Sequence, residues 1–203
     1  MTAIVPIKLT SQRLEYKNFL NFNGKPLYWW ILDTLEASDV DDIVITINDE
    51  RIKDIITGYD YLLRPEGLRG SEITANHLIA DVLNRTDDDD YLYTHVTNPL
   101  LKVQTINDAI KSYYKYGPLM GVTEHRMRAY IYQEPVNHNP LVVTPSQELI
   151  PIYEDNSCLY IFNRDSFERN GRYSDGFYVI NKLEAVDIDT IEDFLIAEAI
   201  ARL

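Results

Sequence analysis

The chain opens MTAIVPIKLTSQRLEYKN (residues 1–18), and the reading of this stretch decides the fold. Residues 2–7 are apolar and partly β-branched without alternation, which predicts a strand buried on both faces, the kind found inside parallel sheets. The apolar run stops at Lys8, and Arg13 and Lys17 follow within one loop, together with Ser11 and Asn18. Working outward, PLYWWILDTLEA from Pro26 to Ala37 predicts a helix with proline in its first turn. Residues 42–48 predict a second strand and Asp49 to Thr57 a short helix. Ser71 is a candidate cap for a helix reaching about Asn84. Further strands are expected in YLYTHV (91–96), from Leu119 to Val122, in CLYIF (158–162) and in FYVI (177–180). Helices are expected from Val103 to Tyr116 and from the Thr190 cap to about Ala201. The acidic run at 87–90 reads as a solvated loop.

Strands alternating with helices imply an α/β protein, a three-layer α/β/α domain around a mostly parallel sheet. A chain of 203 residues suits a single domain, 1–203, with a sizeable core. Residues 124–155 alternate polar and apolar residues, hold Pro135, Pro140, Pro145 and Pro151, and read as an extended arm. In sheets of this kind ligands sit at the carboxyl ends of strands, beside a change in strand order, which is where the cationic loop falls.

The net charge of −13 argues against nucleic-acid or anionic-membrane partners. No apolar run is long enough for a membrane span, and the start carries no signal-peptide pattern. A lone cysteine, Cys158, excludes an internal disulfide and suits a reducing cytoplasm; its apolar neighbours suggest a small buried residue. Phosphate-loop, dinucleotide and zinc-ligand spacings are all missing, and the four residues GLRG (67–70) carry no weight as an RNA-binding signature.

The charge is unevenly spread. Residues 1–30 hold four cations and one anion, whereas 184–203 hold six anions and one cation. Cationic, hydroxyl and amide donors around the first loop can surround a polyphosphate. In AVDIDT (185–190), Asp187 and Asp189 are two apart in an apparent strand, which turns both carboxylates to one side. Such a pair is unfavourable without a cation, and magnesium needs only one or two carboxylates plus phosphate oxygens. A polyphosphate loop at one end and a metal-type pair at the other describe a nucleotidyltransferase.

Five segments then show a resemblance. AIVPIKLTSQRLEYKNFLNFNGKPLYWWILDTL (3–35) resembles the opening of the sugar-acid cytidylyltransferases, the acylneuraminate (CMP-sialic acid) synthetase family, with its I-P-A-R-x-x-S-K-x-x-P-x-K-N pattern. LLRPEGLRGSEITANHLIADVL (62–83), HVTNPLL (95–101), SQELIPIYEDNSCLYIF (146–162) and VDIDTIEDFLIAEAI (186–200) are similar to later blocks of that family, in the same order. The resemblance implies a Rossmann-like nucleotidyltransferase fold and transfer of CMP from CTP to the anomeric hydroxyl of a sialic-acid-like sugar acid. By this likeness Lys8, Ser11, Arg13 and Lys17 contact phosphates, and Asn18 and Arg64 help place the nucleotide. Asp187 and Asp189 hold Mg2+, while His95, Asn156 and Tyr160 face the sugar acid. Arg13, Lys17 and Asp189 are the expected catalytic centre, and the 124–155 arm is the expected homodimer contact.

The departures from the pattern gather at the phosphate and sugar ends. Lys8 stands for arginine, Gln12 for lysine, Glu15 for proline, His95 for glutamine, Ser146 for arginine and Ser157 for glycine. A different nucleotide or acceptor, or a nucleotide-binding relative without turnover, are the alternatives these changes keep open.

Overall fold

Strand β1 (Thr2–Ile7) lies inside a seven-stranded sheet in the computed structural model, which describes residues 1–70, 72–174 and 176–202. Along the chain come the short ladder strands β2 (Asn21–Phe22) and β3 (Lys25–Pro26), helix α1 (Leu27–Glu36), strand β4 (Asp42–Ile47), helix α2 (Ile52–Ile55) and strand β5 (Asp60–Leu63). Helix α3 (Ala75–Leu83), strand β6 (Asp90–Thr94), helix α4 (Val103–Tyr116) and strand β7 (Leu119–His125) follow. A two-residue ladder of β8 (Tyr130–Ile131) and β9 (Glu134–Pro135) interrupts the arm. Strand β10 (Ile152–Asn163), helix α5 (Arg164–Asn170), strand β11 (Gly176–Val179) and helix α6 (Ile191–Ile200) complete the chain.

The sheet order is β11-β7-β10-β6-β1-β4-β5. β10 runs against both of its neighbours and every other pairing in this sheet is parallel, so the mostly parallel expectation holds. Alternation along β1 sends Ala3, Val5 and Ile7 into one apolar layer with Ile31 and Leu35 of α1 and Ile106 and Ile110 of α4. Ile4 joins the opposite layer with Ile79 and Val82 of α3, Tyr93 and Phe162. A third cluster seats Phe194 and Ala197 of α6 on Phe22, Leu27 and Ile188. Three layers result, with α6 closing one end.

Three local features differ from the sequence expectation. α3 begins at Ala75, where Thr74 and His77 form a reciprocal cap; the expected cap, Ser71, lies outside the described residues. Residues 185–190 are not a strand: among the described residues no ladder forms along them, and the Ile188 N–H donates singly to the Thr97 carbonyl at 2.9 Å. β10 is longer than CLYIF and reaches back to Ile152, pairing with His125, so only 126–151 lies between the paired strands of the arm.

The ends of the sheet prepare a site. The chain runs from β1 to β4 and β5 on one side, then returns to β6 on the other, so strand order switches between β1 and β6. Their ladder covers only Thr2–Ile4 with Tyr91–Tyr93, whereas β1 pairs with β4 through Ile7. Pro6 lacks a backbone N–H to donate, and beyond Ile4 the two strands part toward their carboxyl ends.

Candidate active site

A cleft of about 330 Å³ opens where β1 and β6 part, bounded by Pro6 and the first loop on one side and by Tyr93, His95 and Thr97 on the other. A second opening of about 420 Å³ lies across the same loop, beside Asn48, Arg69 and Gly70. Lys8, Ser11 and Arg13 line both. The loop is held in place by side chains: Asn18 Nδ2 donates to the Lys8 carbonyl at 2.9 Å, and the Leu9 N–H donates to Asn48 Oδ1 at 2.9 Å.

The first loop and the acidic end of the chain meet at Asp189. Lys17 is buried, and its Nζ donates to the Ile188 carbonyl at 2.5 Å and to Asp189 Oδ1 at 3.0 Å. Arg13 Nη2 lies 2.8 Å from Asp189 Oδ2. The Asp189 N–H donates to the Asp193 carboxylate, which also accepts from the Thr190 N–H at the α6 cap. One carboxylate thus joins two loop cations to the start of a helix, bringing the two charge-rich ends of the sequence together.

Asp187 is placed differently. Its Oδ1 is buried with no hydrogen-bond partner. Burial raises its carboxyl above the ordinary range, Thr97 opposes that shift, and the Asp189 charge adds to it. An orphaned carboxylate oxygen beside a second acid fits a hard cation that brings its own waters. Asp187 faces a third cleft of about 380 Å³, shared with Thr123, His125 and Asn156, while Asp189 faces the main one. Among the described residues no three His, Cys, Asp or Glu side chains form a ready metal cage.

The remaining expected residues separate. Arg64 is buried, its Nη2 donating to the carbonyls of Thr46 (2.9 Å) and Ile7 (3.4 Å), so it ties the ends of β4 and β1 beneath the loop. Burial lowers its pKa to about 10, and Nη1 is unpaired. Partial burial of Lys8 itself, then the Arg64 charge, lowers the Lys8 pKa from its ordinary value. His95 lines the main cleft; burial first, then the charges of Arg172 and Lys17, lowers its pKa to about 4, which keeps the imidazole neutral at pH 7. Asn156 lines the third cleft, where Nδ2 donates to Thr123 Oγ1 at 3.2 Å. Tyr160 is fully buried, its hydroxyl donating to both Asp155 oxygens at 2.6 and 2.8 Å.

Three cleft residues escaped the sequence reading. Arg69 lies inside the quoted block 62–83 but was given no role of its own there, yet it faces the loop cations across the second opening. Thr97 lay inside a quoted block without a role of its own. Arg172 follows α5 in no motif at all, and its position in the cleft is set by tertiary packing.

Similarity to known proteins agrees with this geometry. The family model described as cytidylyltransferase matches residues 2–201. An N-acylneuraminate cytidylyltransferase from Escherichia coli is 26% identical over 96% of this chain and 50% of its own. One from Streptococcus agalactiae is 25% identical over 95% of this chain and 51% of its own. The chain therefore spans about half the length of these relatives. A CMP-N,N'-diacetyllegionaminic acid synthase from Legionella pneumophila is 26% identical over 99% of this chain and 96% of its own. The fold is also that of a CMP:2-keto-3-deoxy-manno-octonic acid synthetase solved with CTP, with TM-score 0.73 and 11% identity over 99% of this chain and 98% of that one.

Proposed function

Because the chain belongs to the cytidylyltransferase family, we propose that it transfers CMP from CTP to the anomeric hydroxyl of a sialic-acid-like sugar acid. The hydroxyl oxygen forms a bond to the α-phosphorus as the bond to the bridging β-phosphate oxygen breaks. Pyrophosphate leaves, and the hydroxyl proton passes to solvent. The observation that carries this reading is the joining of Arg13 and Lys17 through Asp189 at the switch point. A triphosphate lying along the first loop would meet Lys8, Ser11 and Arg13 from either opening, and Lys17 where it faces the main cleft. Phosphoryl transfer needs positioning and charge stabilisation more than a covalent nucleophile, and these residues supply both.

Asp187 and Asp189 are the residues that would hold Mg2+, which when bound would neutralise charge on the phosphates. Asp189 has an additional role of its own, keeping Arg13 and Lys17 at the mouth of the cleft. Arg64 and Asn18 act on the nucleotide through the loop they brace. His95, Asn156 and Tyr160 are assigned to the acceptor side, with Tyr160 acting from behind the cleft wall. The names of the relatives support a sugar-acid acceptor. A homodimer through the arm and a cytoplasmic location, in keeping with a single buried thiol, complete the reading; among the described residues no helix is long and apolar enough to cross a membrane.

The test is pyrophosphate release from CTP and magnesium with a panel of nonulosonic and octulosonic acids, beside thermal shifts with CTP, UTP, ATP and GTP. Release with at least one acid, and a melting shift largest for CTP, are expected. CTP binding without release for any acid would make the protein a binder, and a larger shift with another nucleotide would reassign the base.

A further inference from the structure

We propose that Arg172 binds the acceptor's carboxylate and selects for it, an assignment that rests on the sugar-acid reading above. Arg172 enters the main cleft from the turn after α5, where Gly171 with φ 64° ends the helix. Its backbone N–H donates to Asn76 Oδ1 at 3.2 Å. The guanidinium lies over the Tyr160 ring, 4.5 Å from its centroid, and 5.1 Å from that of Tyr173, while Nη2 donates to the Tyr173 hydroxyl at 3.2 Å. Tyr160 is in turn fixed by Asp155. A half-buried planar cation is therefore held on a rigid aromatic support, which pre-organises it for a planar anion.

The charge pattern says which anion is missing. Arg13 and Lys17 are both paired with Asp189, whereas among the described residues Arg172 forms no ion pair. It stands with His95 and Tyr93 on the β6 side of the cleft, across from the loop proposed for the triphosphate. The group entering on the β6 side is the acceptor, and the anionic group of a sugar acid is its carboxylate. The family pattern places an arginine at position 146, but here that residue is Ser146, in a short turn of the arm and outside the cleft lining. Arg172 supplies the cation from a different element. A neutral acceptor would leave its N–H donors partly buried and unanswered, so the same residue discriminates against plain alcohols.

The experiment compares Arg172→Gln and Arg172→Lys with wild type, using the panel acid of highest turnover and its C1 carboxamide as acceptors. The expected result for Arg172→Gln is a KM for the acid raised about 10- to 100-fold, with the KM for the amide and the Kd for CTP changed by no more than roughly twofold. Arg172→Lys, keeping charge but not the fork, should fall between. If Arg172→Gln does not fold, the acid-to-amide ratio of Arg172→Lys decides: a reduced ratio supports the assignment and an unchanged one overturns it. A folded Arg172→Gln that discriminates acid from amide as wild type does, or that loses CTP affinity instead, overturns the assignment alone. A wild-type protein that turns over no sugar acid overturns the reading of the reaction, and the assignment with it.

Discussion

Asp189 answers Arg13 with one oxygen and Lys17 with the other, so its removal acts on the loop as well as on any metal. Asp189→Asn keeps the shape and removes the charge. Pyrophosphate release is expected to fall at least ~10²-fold, as charge stabilisation at the phosphates is worth several kcal/mol. From the sequence alone, relief of the repulsion between Asp187 and Asp189 favours a more stable variant. The structure reverses that sign, because buried Lys17 would keep only the Ile188 carbonyl and the neutral amide. A loss of about 1–3 kcal/mol by urea unfolding is expected; near-wild-type turnover would leave Asp189 as a helix-end residue without catalytic weight. His95 supplies a pH test. Its folded pKa of about 4 lies below the ordinary 6.5, so the unfolded chain takes up the proton first as pH falls. The stability from a neutral His95 is complete above the unfolded value and is lost between pH 6.5 and 4, amounting to roughly 2 kcal/mol after discounting for its partial exposure. Burial is the largest cause of the shift, Arg172 and Lys17 add to it, and Asp189 opposes it. His95→Gln, the residue of the family pattern, should flatten the pH slope of Tm across that window; parallel curves for the two proteins would show that His95 is not the titrating group.

At the scale of elements, the strands and helices legible in the sequence are those specified by their own neighbours. β1, α1 and α6 needed only a continuous apolar run, a proline at the helix start, which the fold seats at the cap before Leu27, and a Thr190 cap whose Asp193 partner answers it. What depended on distant chain was less legible. The acid pair lies outside every strand and helix among the described residues, and β10 continues through an irregularity between Asp155 and Tyr160 that lets it pair with β7 on both sides. At that irregularity Ser157 has φ 57°, where the family pattern has glycine. The loss of glycine reads from sequence as a change beside the acceptor, and the backbone shows it is also a change in strain. A left-handed conformation costs a residue with a Cβ about 1 kcal/mol. Ser157→Gly should therefore be more stable than Ser157→Ala by about that amount in urea midpoints, since the pair differs only in the Cβ and its conformational freedom. Equal midpoints would mean that the bonds around Asp155, and not the backbone angle, set the stability of the bulge.

For the whole molecule, the distribution of charge and apolar surface separates the chemistry from the assembly. Five of the 19 Lys and Arg residues of the −13 chain, Lys8, Arg13, Lys17, Arg69 and Arg172, line the two openings beside the first loop. Apolar surface is concentrated in the arm, where Tyr132 is 99%, Leu141 92% and Val143 91% exposed. Four prolines interrupting a polar–apolar alternation made the arm legible only as an extension. Its internal order comes from single side chains, chiefly Asn137, which donates to the carbonyls of Met127 and Ile150 and accepts from the Ala129 N–H. An arm braced this way keeps its apolar tips outside the core of its own chain, and large exposed apolar patches of this kind mark association surfaces. In the proposed homodimer a second copy presenting the same arm would cover them with twofold symmetry, the commonest way a chain closes on itself. Sedimentation should therefore give twice the chain mass for wild type and the chain mass for a Tyr132→Ser, Leu141→Ser, Val143→Ser variant. That variant should retain its CTP affinity, because none of the three residues lines either opening beside the first loop. Wild type sedimenting at the chain mass across the micromolar range would remove the dimer from the proposal, and the exposed tips would then need a different partner.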